Sequence, residues 1–410
     1  MSVGTLDRQD ERLNVQGGLA GELRSTWRSI RNGEIGSLPV IVGLVIIAVV
    51  FQLLNPFFLS SSNLVNLALE SAAVGTIAVG IVLVLLLGQI DLSVGSVSGL
   101  SAAILAVGLV NLHWPMWLAI VIPIVAGAAI GAVYGLLFVR FGVPSFVITL
   151  AGLLAVLGLQ LYVLGTNGSI NIPFDSFIVE FAQSMFLPPV VSYVLVVIVA
   201  AAYVTFALLA SNKRKRENLS APAPAGIYIR GAVILVGLGV IVWYLNLSRG
   251  VAVMFVFFLV IVAVTAYALK RTRWGRAVYA VGGNVEAARR TGIRVNRIYI
   301  SVFILCSTLA TVGGLLAAGR LASASPSSGG GDTNLDAIAA AVIGGTSLFG
   351  GRGSAQSALL GILVISAISS GLTLLNLDSS IRYMITGAVL LVAVIIDSVS
   401  RRSRREHGRA

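Results

Sequence analysis

The chain is short of most of what soluble enzymes use. Its 410 residues include one cysteine, two histidines and only 11% charged side chains, whereas ordinary soluble domains carry roughly 25%. The lone Cys306 excludes an intrachain disulfide and any CxxC metal or redox pair, and its apolar surroundings suit a small buried hydrophobe. His113 and His407 stand apart, without HExxH or another metal-ligand spacing, so no metal is expected. The only lysines are Lys213, Lys215 and Lys270, and none follows a GxxxxG, so the chain has no phosphate-cradling loop for ATP. No acid, base and nucleophile constellation is visible either, which leaves catalytic residues at none and a membrane-embedded enzyme without a site. Acidic residues are few, 16 against 28 lysines and arginines, for a net charge of +12. Without a basic patch interleaved with aromatics, that excess does not point to nucleic acid.

What the chain has in abundance is apolar sequence. It is 57% hydrophobic, with a mean hydropathy of +0.97, arranged in recurring stretches near the ~20 residues that cross a bilayer. Runs such as 45–50 and 81–87 are continuously apolar, not alternating, which selects helices over barrel strands. The fold expected is an all-α polytopic membrane protein of about 12 transmembrane helices, with the lipid bilayer as its solvent. The spans fall at 38–54, 72–88, 94–110, 116–139, 145–164, 190–210, 231–247, 251–269, 298–318, 335–349, 355–375 and 381–397. The tenth opens at Asp336 and is interrupted by Gly344 and Gly345, so it is expected to be broken or re-entrant.

Charge orients these spans. With both termini in the cytoplasm, every lysine and arginine except Arg249, Arg320 and Arg382 falls inside, the bias membrane proteins show. Residues 1–37 then form a cytoplasmic N-terminal segment without a cleavable leader, 38–397 the membrane domain, and 398–410 a basic cytoplasmic tail that contains His407. His113 lies with Trp114 and Trp117 at the outer interface, where aromatic rings anchor. Glu70, Asp91, Asp336 and Asp397 all fall near the ends of the spans, so ionisable groups at mid-membrane are not expected.

Three connections are long. The outer loop 165–189 carries Asn167, Asp175 and Glu180 but no lysine or arginine, which fits either a docking surface or an ordered cover over helix ends. Residues 213–226, KRKRENLSAPAPAG, read as a flexible linker, because Ala-Pro pairs cannot continue a helix. The inner loop 270–297 is the most basic and contains, directly after Gly275, the run RAVYAVGGNVEAARRTGI at residues 276–293. Its chemistry describes a short helix: Asn284 as N-cap, Glu286 in the first turn, Arg289 and Arg290 in the last, Gly292 at the left-handed end. About two turns cannot be stable alone. The helix must pack either on the protein's own helix ends or in a partner's groove.

That stretch, from Gly275 to Ile293, resembles the cytoplasmic coupling loop of the permeases of bacterial ATP-binding cassette importers for ribose, arabinose and xylose, whose pattern is GRxxYAxGGNxxAARxxGI. Every fixed element is present: Gly275, Arg276, Tyr279, Ala280, Gly282, Gly283, Asn284, Ala287, Ala288, Arg289, Gly292 and Ile293. GQIDLSVGS at 88–96, with Asp91, Ser93 and Gly95, is similar to the family's GGIDLSVGS segment, Gln89 replacing a glycine. AVIGGTSLFGGRGS at 341–354, with Gly344, Gly345, Gly350, Gly351 and Gly353, is similar to its late GGTSLxGGxG segment. From the residues alone, Asp91 and Ser93 can cap the third span. The glycines permit either a bent element near the pathway or tight packing without substrate contact.

The resemblance covers about residues 60–397 and implies the type II importer architecture and a monosaccharide as cargo. It also implies a homodimer, a cytoplasmic ATP-binding subunit and an extracytoplasmic sugar-binding protein. ATP would be bound by that partner subunit, and this chain would carry no cofactor. The family's usual permease has about six spans before the coupling loop, whereas eight are counted here; the extra hairpin resembles the longer xylose-type members. The alternative is an ion-coupled secondary sugar transporter. Substrate-contacting residues are not marked by any pattern.

Overall fold

The computed structural model describes residues 38–217, 221, 223–378 and, beyond them, 380, 381, 383–385, 387, 388, 391 and 395. The predicted segments 1–37 and 398–410, and most of the twelfth span 381–397, lie outside the described residues. The described residues form two compact units, one of 186–251 and the other of 39–185 and those from 252 onward.

The larger unit is a helical bundle. It opens with α1 (Leu38–Leu54), α2 (Ser61–Leu86), α3 (Val94–Ala106, prolonged by a π-turn Val107–Asn111), α4 (Met116–Phe141) and α5 (Ser145–Leu164). Ser60 caps α2 by accepting the Asn63 N–H at 3.3 Å. Almost every side chain from Ala72 to Leu87 is buried, so this helix is the centre of the bundle and is apolar all round for that reason. After the strand β1 (Ile170–Asn171) comes a short surface helix, α6 (Phe177–Gln183).

The smaller unit is a hairpin of α7 (Pro189–Arg216) and α8 (Pro224–Leu245). The linker expected at 213–226 is shorter than that. Helix α7 runs through the basic cluster to Arg216, where positive side chains favour a helix C-terminus, and Pro224 opens α8 because its missing N–H would have no partner in the first turn.

The chain re-enters the larger unit with α9 (Val253–Arg271), α10 (Arg273–Gly283), α11 (Val285–Arg290), α12 (Val295–Leu321), β2 (Ser323–Ala324), α13 (Gly331–Ile343) and α14 (Ala355–Leu374). Helix α12 spans about 40 Å and is the second central element. Side chains at its Gly313 and Gly314 would collide with Ala73 and Ile77 of α2 and with Ser98 of α3, and such close helix approach needs small residues. Strands β1 and β2 pair antiparallel, Ile170 opposite Ala324, and Gln183 of α6 donates to the carbonyls of Gly319 and Arg320 at the end of α12. The loop 165–189 is therefore an ordered cover whose Phe174, Asp175 and Glu180 remain exposed.

Among the described residues, nine helices are long and apolar enough to cross a membrane, and α1, at 17 residues, falls just short of that length. Two of the predicted positions are corrected. The second span is α2 as a whole, which puts Glu70 well inside a helix and not at its end. The tenth is the 13-residue α13, about 20 Å long and too short for a ~30 Å hydrocarbon core. It is preceded by two tight turns at 325–330, where the Ser328 and Gly330 N–H groups bond the Ser325 and Ser327 carbonyls, and is followed by the glycine-rich stretch 344–354.

Candidate functional site

Three sequence segments, far apart along the chain, meet at one end of the larger unit. Helix α10 starts under the Thr272 cap, whose hydroxyl accepts the Gly275 N–H at 3.1 Å, and Gly275 sits against the Ala268 and Leu269 carbonyls at the end of α9. At its far end a side chain on Gly282 would collide with the Leu86 carbonyl at the end of α2. That same carbonyl accepts the Gly351 N–H at 2.8 Å. Gly350 lies against Gly282 and Gly88, Gly351 against Gly283, and the Tyr279 hydroxyl donates to the Gly353 carbonyl at 2.8 Å. Burial pushes the Tyr279 phenol above its ordinary range, so it stays a protonated donor. Gly88, Gly350 and Gly351 have φ of 69°, 85° and 73°, so this meeting of backbones requires residues without a Cβ.

Helix α11 projects from the junction. The Asn284 side chain accepts the Ala287 N–H at 2.9 Å from an extended backbone, Glu286 lies in the first turn, and Arg289 and Arg290 lie in the last. Gly292, at φ 82°, turns the chain left-handed, and the Ile293 N–H returns to the Ala288 carbonyl at 3.2 Å. The Glu286–Arg289 ion pair, 3.2 Å long with side chains 68% and 60% exposed, contributes little to stability. Asn284, Glu286, Ala287, Arg289 and Arg290 are exposed, as is Arg276, while Ala288 is only 3% exposed. Adjacent helical residues point about 100° apart, so Ala287 and Ala288 cannot share one docking face.

The other motif residues lie deeper. The expectation that Ser93 caps α3 through its side chain is corrected: it stands at the N-cap without a cap bond, and its hydroxyl and N–H both donate to Asp91 Oδ1, at 2.7 and 2.8 Å. Asp91 Oδ2 has no hydrogen-bond partner among the described residues, and Cys306 lies beside it. Gly95 packs on the Gly329 carbonyl, and a side chain on Gly344 would collide with the Ser357 carbonyl of α14. Gly345 has φ 99°, and a Cβ there would meet nothing.

Sequence patterns missed the side chains that make this interior possible. Two stretches of non-helical backbone lead into helices here, 88–93 before α3 and 325–330 before α13, and the second packs on α3 itself at Gly95 and Gly99. Buried backbone away from helices must be paired within the protein. Ser145 and Thr149 of α5 accept the N–H groups of Ile90 and Leu92, at 3.3 and 3.1 Å. Gln160 donates to the Ser325 and Ser328 carbonyls at 3.1 and 3.0 Å, and Asn334 to the Leu92 carbonyl at 2.9 Å. The available signal was a single amide inside an otherwise apolar span.

The fold defines a multi-pass, predominantly helical membrane protein, with no catalytic constellation among the described residues. The chain belongs to the family described as "Branched-chain amino acid transport system / permease component", whose model matches residues 63–394. It is 36% identical over 345 residues to the xylose transport system permease protein of Escherichia coli (strain K12), covering 84% of this chain and 87% of that protein. The xylose transport system permease protein of Haemophilus influenzae (strain ATCC 51907 / DSM 11121 / KW20 / Rd) is 31% identical over 370 residues, covering 89% and 98%. The ribose import permease protein of Escherichia coli (strain K12) is 32% identical over 358 residues, covering 87% and 92%. No solved structure matches the chain.

Proposed function

We propose that this chain is the membrane permease subunit of an ATP-driven importer for a monosaccharide, a pentose such as xylose. The observation that carries the reading is likeness to individual xylose permeases over 84% or more of the chain. The family's description names branched-chain amino acids, but full-length likeness to single proteins speaks more directly to cargo than a family-wide label. ATP is bound and hydrolysed by a separate cytoplasmic subunit, the sugar is delivered by an extracytoplasmic binding protein, and two copies of this chain form the pathway. Both termini and the loop 270–297 face the cytoplasm, as the distribution of lysine and arginine supports.

The junction supports a route for coupling. The ATP-binding subunit presses on the exposed face of α11; Gly282 passes the displacement to Leu86 and Gly351, which touch it. From there it reaches the non-helical stretches 88–93 before α3 and 344–354 between α13 and α14, so an ATPase movement shifts both at once. An ion-coupled transporter is the second reading, favoured by one observation: Glu70 lies inside α2. Proteoliposomes holding the chain with its ATP-binding and sugar-binding partners decide the matter. Xylose uptake should require ATP on the cytoplasmic side and persist after a protonophore. Uptake of leucine instead of xylose or ribose, or uptake without ATP, overturns the reading.

A further inference from the structure

Between α7 and α8 the hairpin holds a cavity of about 190 Å³, several times the ~30 Å³ share of one liquid water. It lies at the end of the hairpin where the two helices are joined, lined by Tyr203, Ala207, Ser211, Arg214, Ile227 and Arg230. Of these, Ser211 and Ile227 are buried, at 2% and 5% exposure, while Arg214 and Arg230, one from each helix, are exposed. The helices stay in register here because Gly231 of α8 packs directly on Val204 of α7. Just beyond the cavity the stems turn apolar and exposed: Phe206, Leu209, Val233 and Val236 are 60–70% exposed.

We propose that this cavity is a binding site for the phosphate headgroup of an anionic phospholipid. Two guanidiniums at a span end, above a buried hydroxyl, match a phosphodiester. Each guanidinium carries five N–H donors, so a bond within the protein does not exhaust it. The exposed apolar stems supply what a free phosphate would not need, a surface for acyl chains at the depth they occupy. Lys213, Lys215 and Arg216 on the same turn of α7 add attraction to an anionic leaflet. Headgroup pockets between helices on the cytoplasmic side have this composition.

The test uses the full chain in mild detergent, with lipid binding read by native mass spectrometry against added dioleoylphosphatidylglycerol or dioleoylphosphatidylcholine. The wild-type chain should retain the anionic phosphatidylglycerol preferentially. The double variant Arg214→Gln/Arg230→Gln should lose that retention by about 100-fold or more, because each guanidinium gives up a charge-assisted bond to the phosphate. Ala207→Leu keeps every charge and fills the cavity, and should lose it comparably. Lys213→Gln/Lys215→Gln removes the same charge from outside the lining, where in detergent an exposed cation without a direct bond to the phosphate contributes little, and should lose no more than about fivefold. Equal losses in the two double variants, or full retention in Ala207→Leu, would mean diffuse attraction and overturn the site. Inorganic phosphate at constant ionic strength is the last arm: if it alone displaces the lipid at millimolar concentration, the source is free phosphate and the lipid assignment fails.

Discussion

Ala287 and Ala288 are chemically identical neighbours with opposite surroundings, and the difference separates docking from folding. Ala287 faces outward and Ala288 is packed inside the chain. Ala287→Glu should leave the protein folded while reducing co-purified ATP-binding subunit about tenfold, the effect of losing ~1.4 kcal/mol at an interface. Ala288→Glu should lower the yield of folded protein instead, because a carboxylate would be buried without a partner. Pull-down and thermal unfolding of both variants check this; equal behaviour would put α11 outside the coupling interface. Asn284→Ala should cost about 1 kcal/mol of local stability and Asn284→Ser nearly nothing, measured by hydrogen exchange at the Ala287 amide. The caps of this helix were legible because an N-cap and a left-handed terminus are local chemistry. The inward turn of Ala288 was not, since which side of a two-turn helix meets the protein depends on residues elsewhere in the chain.

The interrupted elements α3 and α13 depend on partners brought together only by tertiary structure. Gln160 lies on α5 and the carbonyls it satisfies lie in the lead-in to α13, 165 and 168 residues away. Replacing it should leave those partly buried carbonyls without their partner, at roughly 1–3 kcal/mol. Gln160→Leu should therefore lower the thermal unfolding midpoint. No change in the midpoint would show that these bonds do not hold the lead-in. Long apolar helices such as α4 and α5 were readable to within two residues because composition defines them. Helix α13 was only partly readable: its glycines marked an interruption, but the turns at 325–330 that precede it have no hydrophobic signature.

For the molecule as a whole, orientation follows from charge and can be measured. Glu286→Cys in α11 and Ser403→Cys in the tail, which lies outside the described residues, should both be unreactive toward an impermeant thiol reagent in intact cells and reactive in inverted vesicles. Native Cys306 is buried and contributes little background. Reaction of either position from outside would reverse the assignment of sides or the even number of crossings. The hairpin 186–251 enters this picture as an insertion whose seams are visible. At its base the Leu187 N–H bonds the Val251 carbonyl at 2.9 Å, and two residues further out on each side the Val253 N–H bonds the Met185 carbonyl at 3.0 Å. The points of departure and return are thus already neighbours, and splicing Met185 directly to Ala252 asks the backbone to bridge hardly any distance. Such an excision removes two crossings and preserves the sidedness of everything that follows, so the transporter with its hairpin cut out should insert in the same direction, testable with the same two cysteines.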